Sequence, residues 1–264
     1  MIFEIALYLI LGACVGILAG LLGVGGGLII VPILATIFIS QGLPADLIMH
    51  LALGTSLASI LFTSISSVYS HHQHQAVSWS RAAKLTPGIL LGAWLGGLVA
   101  GILSSDILKP IFAIFELLVA AYMLWGTKAQ AHNIQPSLIN FSSSGAIIGF
   151  ISSIVGIGGG SLTVPWLLWH GSSIHKAIAT SAAVGFPIAF GGALSYLYFG
   201  WNHSGLPTYS VGFIYLPALA GIVISSVFFA PLGANWAHKL DVKKLKRIFG
   251  FLLIGLAIYL IFSG

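Results

Sequence analysis

Charged residues are scarce in this sequence, and their scarcity excludes an ordinary soluble fold. Asp, Glu, Lys and Arg make up 6% of the 264 residues, whereas a soluble domain has about 25%. Hydrophobic residues make up 58%, and the mean hydropathy is +1.06. A soluble protein of this size needs many more polar residues to cover its surface. The composition therefore predicts an all-α fold, a polytopic transmembrane helical bundle.

Cysteine and the short motifs of soluble enzymes are also lacking. The single cysteine, Cys14, lies in an apolar run, so one chain can form neither a disulfide nor a CxxC site. The sequence contains no GxGxxG, Walker, HExxH or GxSxG motif and no pair of intramembrane acids. We therefore expect that the protein is not an enzyme and that it binds neither a cofactor nor a metal. The net charge of +5 comes from basic residues between apolar runs, where they predict topology rather than binding to nucleic acid.

Eight apolar runs are long enough to cross a bilayer. A helix needs about 20 apolar residues to cross a hydrocarbon core about 30 Å thick, and backbone groups cannot stay unpaired in lipid. The first run follows no basic segment and continues past the length of a signal peptide, so we interpret it as the first span. The eight predicted spans are 3–22, 47–69, 85–103, 108–126, 138–157, 175–199, 211–233 and 246–263.

Two apolar segments are too long for a single span, and glycines interrupt each of them in the middle. Residues 3–39 would make one helix about 55 Å long, and residues 138–169 are similarly extended. Gly23–Gly27 (GVGGG) interrupts the first segment, and Gly156–Gly160 (GIGGG) interrupts the second. Glycine costs about 1 kcal/mol per helical position relative to alanine. These runs therefore predict helices that are broken inside the membrane.

The two glycine runs belong to an internal repeat. Residues 23–32 (GVGGGLIIVP) align without gaps with residues 156–165 (GIGGGSLTVP). Farther along, the A-x-x-T-S element at 52–56 matches the one at 177–181, and a polar linker begins at residue 127. These landmarks predict two duplicated four-helix halves, a first transmembrane repeat at 1–130 and a second at 131–264.

The relative direction of the halves depends on the number of crossings. We expect four spans per half, with the segment after each glycine run as a half-span, which makes the halves parallel; an extra crossing would make them inverted. The basic cluster at 239–247 predicts the cytoplasmic side, and Lys109 in the equivalent loop agrees. With eight spans, Arg81 and Lys84 would then lie outside, against the same rule.

The glycine runs are candidate anion sites. A helix that begins inside the membrane has free N–H groups and a partial positive charge at its start, and glycine removes the side chains that would obstruct an anion there. Paired interruptions point to a transporter site, whereas spacings such as Gly12-Gly16-Gly20 are typical of helix packing. The Thr-Ser pairs could donate to an oxyanion or bond to their own helix. The candidate substrate-binding residues are Gly25, Gly26, Gly27, Thr55, Ser56, Gly158, Gly159, Gly160, Ser161, Thr180 and Ser181.

Other polar residues are candidates for coupling or for steering the substrate. Glu116 is the one acid deep in a predicted span, where a carboxylate can act as a proton site or as the partner of a cation. His50 and His175 each precede a Thr-Ser pair by five residues and are candidate proton or substrate groups. Arg81 and Lys176 can attract anions electrostatically.

A cluster of histidines leaves a second transport hypothesis open. His71, His72 and His74 are potential ligands of zinc, nickel or copper, and Glu116 could join them. This alternative is a transition-metal cation permease. Metal-dependent uptake that is lost when the three histidines are replaced with alanine would distinguish this alternative.

The duplicated glycine and A-x-x-T-S motifs resemble the sulfite exporter TauE/SafE family, and the resemblance covers essentially the whole chain. It implies a secondary transporter that exports small sulfur-containing anions, such as sulfite or organosulfonates, by alternating access between the two repeats. It also implies a multi-pass protein of the prokaryotic cytoplasmic (inner) membrane. The expected partners are a small inorganic or organosulfur anion and the lipid bilayer, with no nucleic acid, and formation of a homo-oligomer stays open.

Overall fold

The protein is a bundle of helices in a computed structural model that describes residues 2–23, 25–126, 136–237 and 242–262. Backbone groups in lipid need partners inside their own segment, which favours helices throughout. The described helices are α1 (Ile2–Leu22), α2 (Gly27–Ser40), α3 (Ile48–Gln73), α4 (Trp79–Ile102), α5 (Ser105–Trp125), α6 (Leu138–Ile154), α7 (Gly160–Trp169), α8 (Ile174–Gly200), α9 (Leu216–Ala237) and α10 (Val242–Phe262). One short antiparallel pair, β1 (Ser210–Val211) and β2 (Ile214–Tyr215), precedes α9.

The predicted all-α membrane fold is confirmed, and each of the eight predicted spans coincides with a helix. Among the described residues, seven helices are long and apolar enough to cross a membrane. The remaining predicted span, 138–157, is α6, which has 17 residues. The seventh was predicted to start at 211, but the β1–β2 turn occupies that segment and delays α9 to Leu216. The additional helices α2 and α7 follow the glycine runs.

Each glycine run forms the tip of a helical hairpin, because the helix after it returns toward the start of the helix before it. In the first hairpin, Gln41 at the end of α2 donates from Nε2 to Tyr8 Oη near the start of α1, at 3.0 Å. In the second, the ring of Trp166 in α7 lies 5.3 Å from that of Phe141 near the start of α6. Helix α7, with 10 residues, has about the length of the expected half-span, but each segment after the glycines turns back toward the side on which its hairpin started and so counts in the number of passes.

The returning helices make the two sets of five helices run in opposite directions. Helices α3 and α8 are antiparallel, since Gly185 faces Ser64 while Gly192 faces Leu57. The expectation of parallel halves is thus wrong, because an odd number of passes inverts every later helix. The predicted boundary at 130/131 lies outside the described residues and stays a prediction.

Small residues bring the helix pairs close together, as their spacing predicted. A methyl group added to Gly12, Gly16 or Gly20 of α1 would overlap the backbone of α9. On α4, Gly92 and Gly96 meet α6 in the same way. Such stripes allow the close backbone approach typical of membrane helices.

Most basic residues collect on one side of the bundle, which we call the basic side. Helices α4, α6, α8 and α10 begin there, and α1, α3, α5 and α9 begin on the opposite side. The described basic residues on the basic side are Arg81 and Lys84 in α4, Lys176 in α8, and Lys244, Lys246 and Arg247 in α10. The opposite side has Glu4, Asp46, Asp106 and Lys109.

This distribution corrects three expectations about topology. Arg81 and Lys84 lie on the same side as the start of α10, and Lys109 lies on the opposite side. The reason is the extra pass of the first hairpin, which moves every loop between the two hairpins to the other side; the extra pass of the second hairpin then restores the predicted side of the later loops. Residues 238–241 of the predicted cytoplasmic cluster lie outside the described residues.

Candidate functional site

The two glycine runs meet in the middle of the bundle. A Cβ atom on Gly25 would lie 2.8 Å from Gly158 Cα, and one on Gly27 would lie 2.3 Å from the Gly156 carbonyl oxygen. Neither position has room for a side chain, so glycine is required for this approach. Gly25 also faces Ile60 near the midpoint of α3, which places the contact at mid-depth. We call it the glycine contact.

A helix begins at each side of the glycine contact. Gly26 and Gly159 are the N-cap residues of α2 and α7, and both adopt a left-handed conformation, with φ of 80° and 75°. In α7 the amides of Leu162 and Thr163 bond to the Gly159 carbonyl, and α2 repeats this arrangement. The first two amides of each helix therefore have no intrahelical acceptor. Two positive helix ends, whose first amides lack an intrahelical partner, thus converge at mid-depth.

The Thr-Ser pairs link the two hairpins to the opposite long helices. Ser56 in α3 donates to the Gly156 carbonyl at 2.7 Å, and Ser181 in α8 donates to the Gly23 carbonyl at 3.1 Å. Thr55 accepts from the Tyr215 amide at 2.9 Å, and Thr180 accepts from the Ser78 amide at 3.0 Å. In this conformation all four hydroxyls bond to the backbone, and their contact with an anion stays a prediction.

Replacing Ser56 with alanine is expected to lower the stability of the fold by about 1 kcal/mol, because it leaves the buried Gly156 carbonyl without its donor. Ser181→Ala should cost less, since the Ser181 hydroxyl is shared with the Ile178 carbonyl at 2.8 Å. Unfolding in mixed detergent micelles measures both. Ser143→Ala, at an exposed position of α6, is the control. Equal free energies of unfolding for Ser56→Ala and wild type would contradict a stabilising role for the hydrogen bond from Ser56 to the Gly156 carbonyl.

Ser161 was predicted from the sequence, but three other hydroxyls around the second hairpin, Ser152, Ser153 and Thr163, were not. Ser152, Ser153, Ser161 and Thr163 are buried, and their side-chain oxygens have no hydrogen-bond partner within the described part of the chain. Buried hydroxyls without partners are uncommon and point to a ligand or water. The alignment of the two hairpins could have identified these hydroxyls, because they occur in the second hairpin only. At the same positions the first hairpin has Ala19, Gly20, Leu28 and Ile30.

Two small cavities lie beside the glycine contact. The first, of about 10 Å³, is lined by Gly25, Gly158 and the buried Ser67, among others. The second, of about 20 Å³, lies between Ser161 at the start of α7 and Lys246 of α10. Each has room for about one water molecule. The structure therefore shows a closed conformation, which must widen before a larger solute can enter.

Glu116 is fully buried on the face of α5 that turns toward the second cavity. Its exposed fraction is 0%, and neither carboxylate oxygen has a hydrogen-bond partner among the residues described. Val119 and Met123 follow on the same face of α5 and line the cavity beside Ser161. Three residues of helix correspond to a rise of about 4.5 Å. Glu116 thus lies about one turn from the cavity, toward the middle of the bundle.

The other two candidate coupling residues lie near opposite ends of the bundle, outside the glycine contact. His50, at the start of α3, is buried; its Nδ1 lies 3.2 Å from the Asp46 carbonyl oxygen. His175 is exposed at the start of α8, on the basic side. The structure therefore does not bring either residue to the proposed site.

The clustered histidines point in different directions. His71 Nε2 lies 3.1 Å from the Gly20 carbonyl oxygen, and His74 Nε2 lies 2.8 Å from Asn235 Oδ1. His72 accepts a hydrogen bond from the indole of Trp79 at 3.2 Å. Among the described residues, no three His, Cys, Asp or Glu side chains come together in a way that could hold a metal ion. No observation therefore favours the metal-permease alternative.

Paired helix interruptions that meet at mid-depth within a bundle of long apolar helices are the architecture of a membrane transporter. Comparison with known proteins agrees with this class. The chain belongs to the sulfite exporter TauE/SafE family, whose model matches residues 8–260. The resemblance found in the sequence is thus confirmed.

The curated relatives are membrane proteins of bacteria and archaea. A "probable membrane transporter protein" of Haemophilus influenzae is 41% identical over 256 residues, covering 96% of this chain and 97% of that protein. A protein of the same description from Methanocaldococcus jannaschii is 33% identical, covering 94% and 91%. A third, from Bacillus subtilis, is 28% identical, covering 99% and 98%. No solved structure matches the chain significantly. The protein is therefore a multi-pass membrane transporter.

Proposed function

We propose that this transporter exports small sulfur-containing anions, such as sulfite or organosulfonates, by alternating access around the glycine contact. The observation that carries the proposal is the meeting of two helix N-termini, without intervening side chains, at mid-depth. Free N–H groups and the positive ends of two helices favour an anion without needing Lys or Arg at the contact. Inverted halves supply the symmetry that alternating access uses.

The second helix end is the stronger half of this site. At the start of α7, the unpartnered Ser161 hydroxyl is 8% exposed and lies in the same cavity as Lys246. At the start of α2 the matching residue is the fully buried Leu28. A hydroxyl donor and an ammonium group stabilise an oxyanion, whereas a leucine does not. We therefore place the anion at the α7 end of the contact.

The charge distribution supports an orientation. Cytoplasmic loops carry an excess of Lys and Arg, so we assign the basic side to the cytoplasm of a prokaryotic inner membrane and place both termini outside. An anion that leaves the cell then starts from the basic side. Lys246, which lines the Ser161 cavity, belongs to that side, which fits export.

Flux through purified protein in liposomes tests the proposal. The assay compares sulfite, sulfate, thiosulfate, sulfoacetate and nickel, with and without a pH gradient. We expect sulfite or sulfoacetate flux above that of empty liposomes and no nickel flux. Nickel flux without anion flux would support the metal permease instead.

Ser161→Ala is expected to raise the KM for the transported anion about tenfold, because a hydrogen bond to a charged group contributes about 1.5 kcal/mol or more. The exposed Ser143→Ala variant should keep the wild-type KM. An unchanged KM in Ser161→Ala would show that the anion does not bind at the start of α7.

A further inference from the structure

An open, polar cleft lies on the basic side, outside the glycine contact. It has a volume of about 330 Å³ and is lined by Ser78, Arg81, Gly171, Ser172, Ser173 and Lys176. We call it the Arg81 cleft. It is far larger than the two cavities beside the glycine contact, which hold about 10 and 20 Å³. A small oxyanion therefore fits in the cleft in the conformation observed.

The local sequence explains why the cleft is polar. Helix α7 ends in a Schellman motif, in which the Ser172 amide bonds to the Leu167 carbonyl and the Gly171 amide to the Leu168 carbonyl. Gly171 supplies the required left-handed residue, with φ of 76°. The carbonyls at the negative end of α7 are thereby satisfied, and the chain turns directly into Ser173, the N-cap of α8.

Two helix N-termini open onto the cleft. Ser173 begins α8, and Ser78 begins α4, where its amide bonds to Thr180 Oγ1 at 3.0 Å. Helices α4 and α8 lie side by side and run in the same direction, so their positive ends add. Arg81 donates to the Ser172 hydroxyl, which holds its guanidinium at the rim. Lys176 is exposed on the first turn of α8.

No carboxylate opposes these positive groups, since the described residues that line the cleft include no Asp or Glu. The matching place on the opposite side of the bundle is different. There Tyr215 bonds to Thr55 as Ser78 bonds to Thr180. The positions that correspond to Arg81 and Lys176 are Ala218 and Leu51, both 0% exposed. The charged cleft thus exists on one side only.

The cleft and the cavity beside the glycine contact both lie along α8. Along α8, Lys176 lines the cleft, Ser181 bonds to the Gly23 carbonyl, and Ala182 lines the cavity beside Gly25. Six residues of helix correspond to a rise of about 9 Å. A solute held in the cleft is therefore only about two helical turns from the cavity beside Gly25.

We propose that the Arg81 cleft captures the small oxyanion on the basic side before the anion moves to the glycine contact. This inference rests on the proposed function. Arg81 and Lys176 raise the local concentration of anions and bind one of them, together with the serine hydroxyls and the helix ends. The same chemistry would also suit the phosphate of a lipid headgroup, so the test separates a free anion from a lipid.

The test is the double variant Arg81→Gln/Lys176→Gln, assayed for sulfite flux from the basic side in liposomes of neutral lipid. The KM for sulfite should rise about tenfold at low ionic strength, because steering and local concentration account for at least that factor. The maximal rate should stay unchanged, and the difference should shrink at high salt, which screens exposed charges. Lys84→Gln is the matched control, since Lys84 lies one turn along α4, is exposed and does not line the cleft. Size-exclusion profiles verify that each variant is folded.

Each outcome has a distinct meaning. If the double variant has the wild-type KM and normal sulfite flux, the Arg81 cleft does not capture the anion, and the proposed function is unaffected. A KM that changes only in liposomes containing anionic lipid assigns the cleft to a headgroup and also overturns the capture site. If wild type carries no sulfur anion, the proposed function fails. Binding of sulfite to the purified protein, measured by equilibrium dialysis and lost in the double variant, would then still show an anion site in the cleft, whereas no binding to wild type would overturn both proposals.

Discussion

Gly27→Ala is expected to reduce anion flux about a hundredfold while the protein stays folded and inserted. The added methyl group would lie 2.3 Å from the Gly156 carbonyl oxygen, so the two hairpin tips must separate by roughly 1 Å. A displacement of that size at a site that positions its ligand costs about two orders of magnitude in rate. Flux of labelled sulfite from liposomes measures the loss. Gly255→Ala is the control, because its added methyl meets nothing within 4 Å.

Gly25→Ala extends this prediction and needs a different control. Gly25 has φ of 75°, so alanine there carries backbone strain as well as overlap with Gly158. Gly42 also has a positive φ, of 70°, but a methyl group added there meets nothing within 4 Å. The Gly42→Ala variant therefore measures the effect of backbone strain without overlap. We expect Gly42→Ala to transport normally and Gly25→Ala to fail. Wild-type flux in both Gly27→Ala and Gly25→Ala would rule out the glycine contact as the transport site.

Glu116→Gln is expected to abolish the stimulation of anion flux by a pH gradient while anion binding persists. Glutamine keeps the shape of the buried side chain but cannot gain or lose a proton. Glu116 lies about one helical turn from the cavity at Ser161, on the face of α5 that lines it. A proton on this carboxylate can therefore accompany the anion through the bundle, which would make export dependent on the gradient.

The matched control is Asp106→Asn, on the same helix but exposed in its first turn. Flux is measured at equal pH on both sides and with a gradient of one to two units in either direction. The Asp106→Asn variant should respond as wild type does, and Glu116→Gln should give the same flux under all conditions. If Glu116→Gln keeps the full response to the gradient, the proton is carried elsewhere and Glu116 has a structural role.

Much of the candidate site could be proposed from the sequence, because its strongest signals are local. The glycine runs are visible as breaks in apolar segments, and their duplication singles them out from glycines that serve packing, such as Gly12 and Gly16. The Thr-Ser pairs were found in the same way. Their partners were not predictable, since Ser56 bonds to a carbonyl 100 residues away and Ser181 to one 158 residues away.

Other features of the site depend on charge and direction across the bundle. Arg81 and Lys84 seemed misplaced by the rule for basic loops only because each half was assigned an even number of crossings. The hairpin between Gly23 and Ser40 adds one pass, and the basic residues then gather on one side. The count in the first half thus moved the loop that carries Arg81, and the second hairpin kept the loop before Lys176 on the same side, so that both loops form the Arg81 cleft.

Composition and periodicity alone determined that this chain lies in a membrane, where its helices run and where two of them break. These properties depend on neighbouring residues, whose transfer free energies and helix propensities act over a few turns. The tertiary structure decided that the breaks face each other, that each half braces the other half's glycine run, and that the two halves are inverted. Those features depend on which backbones approach within a few ångströms, and side-chain volume at distant positions controls that approach.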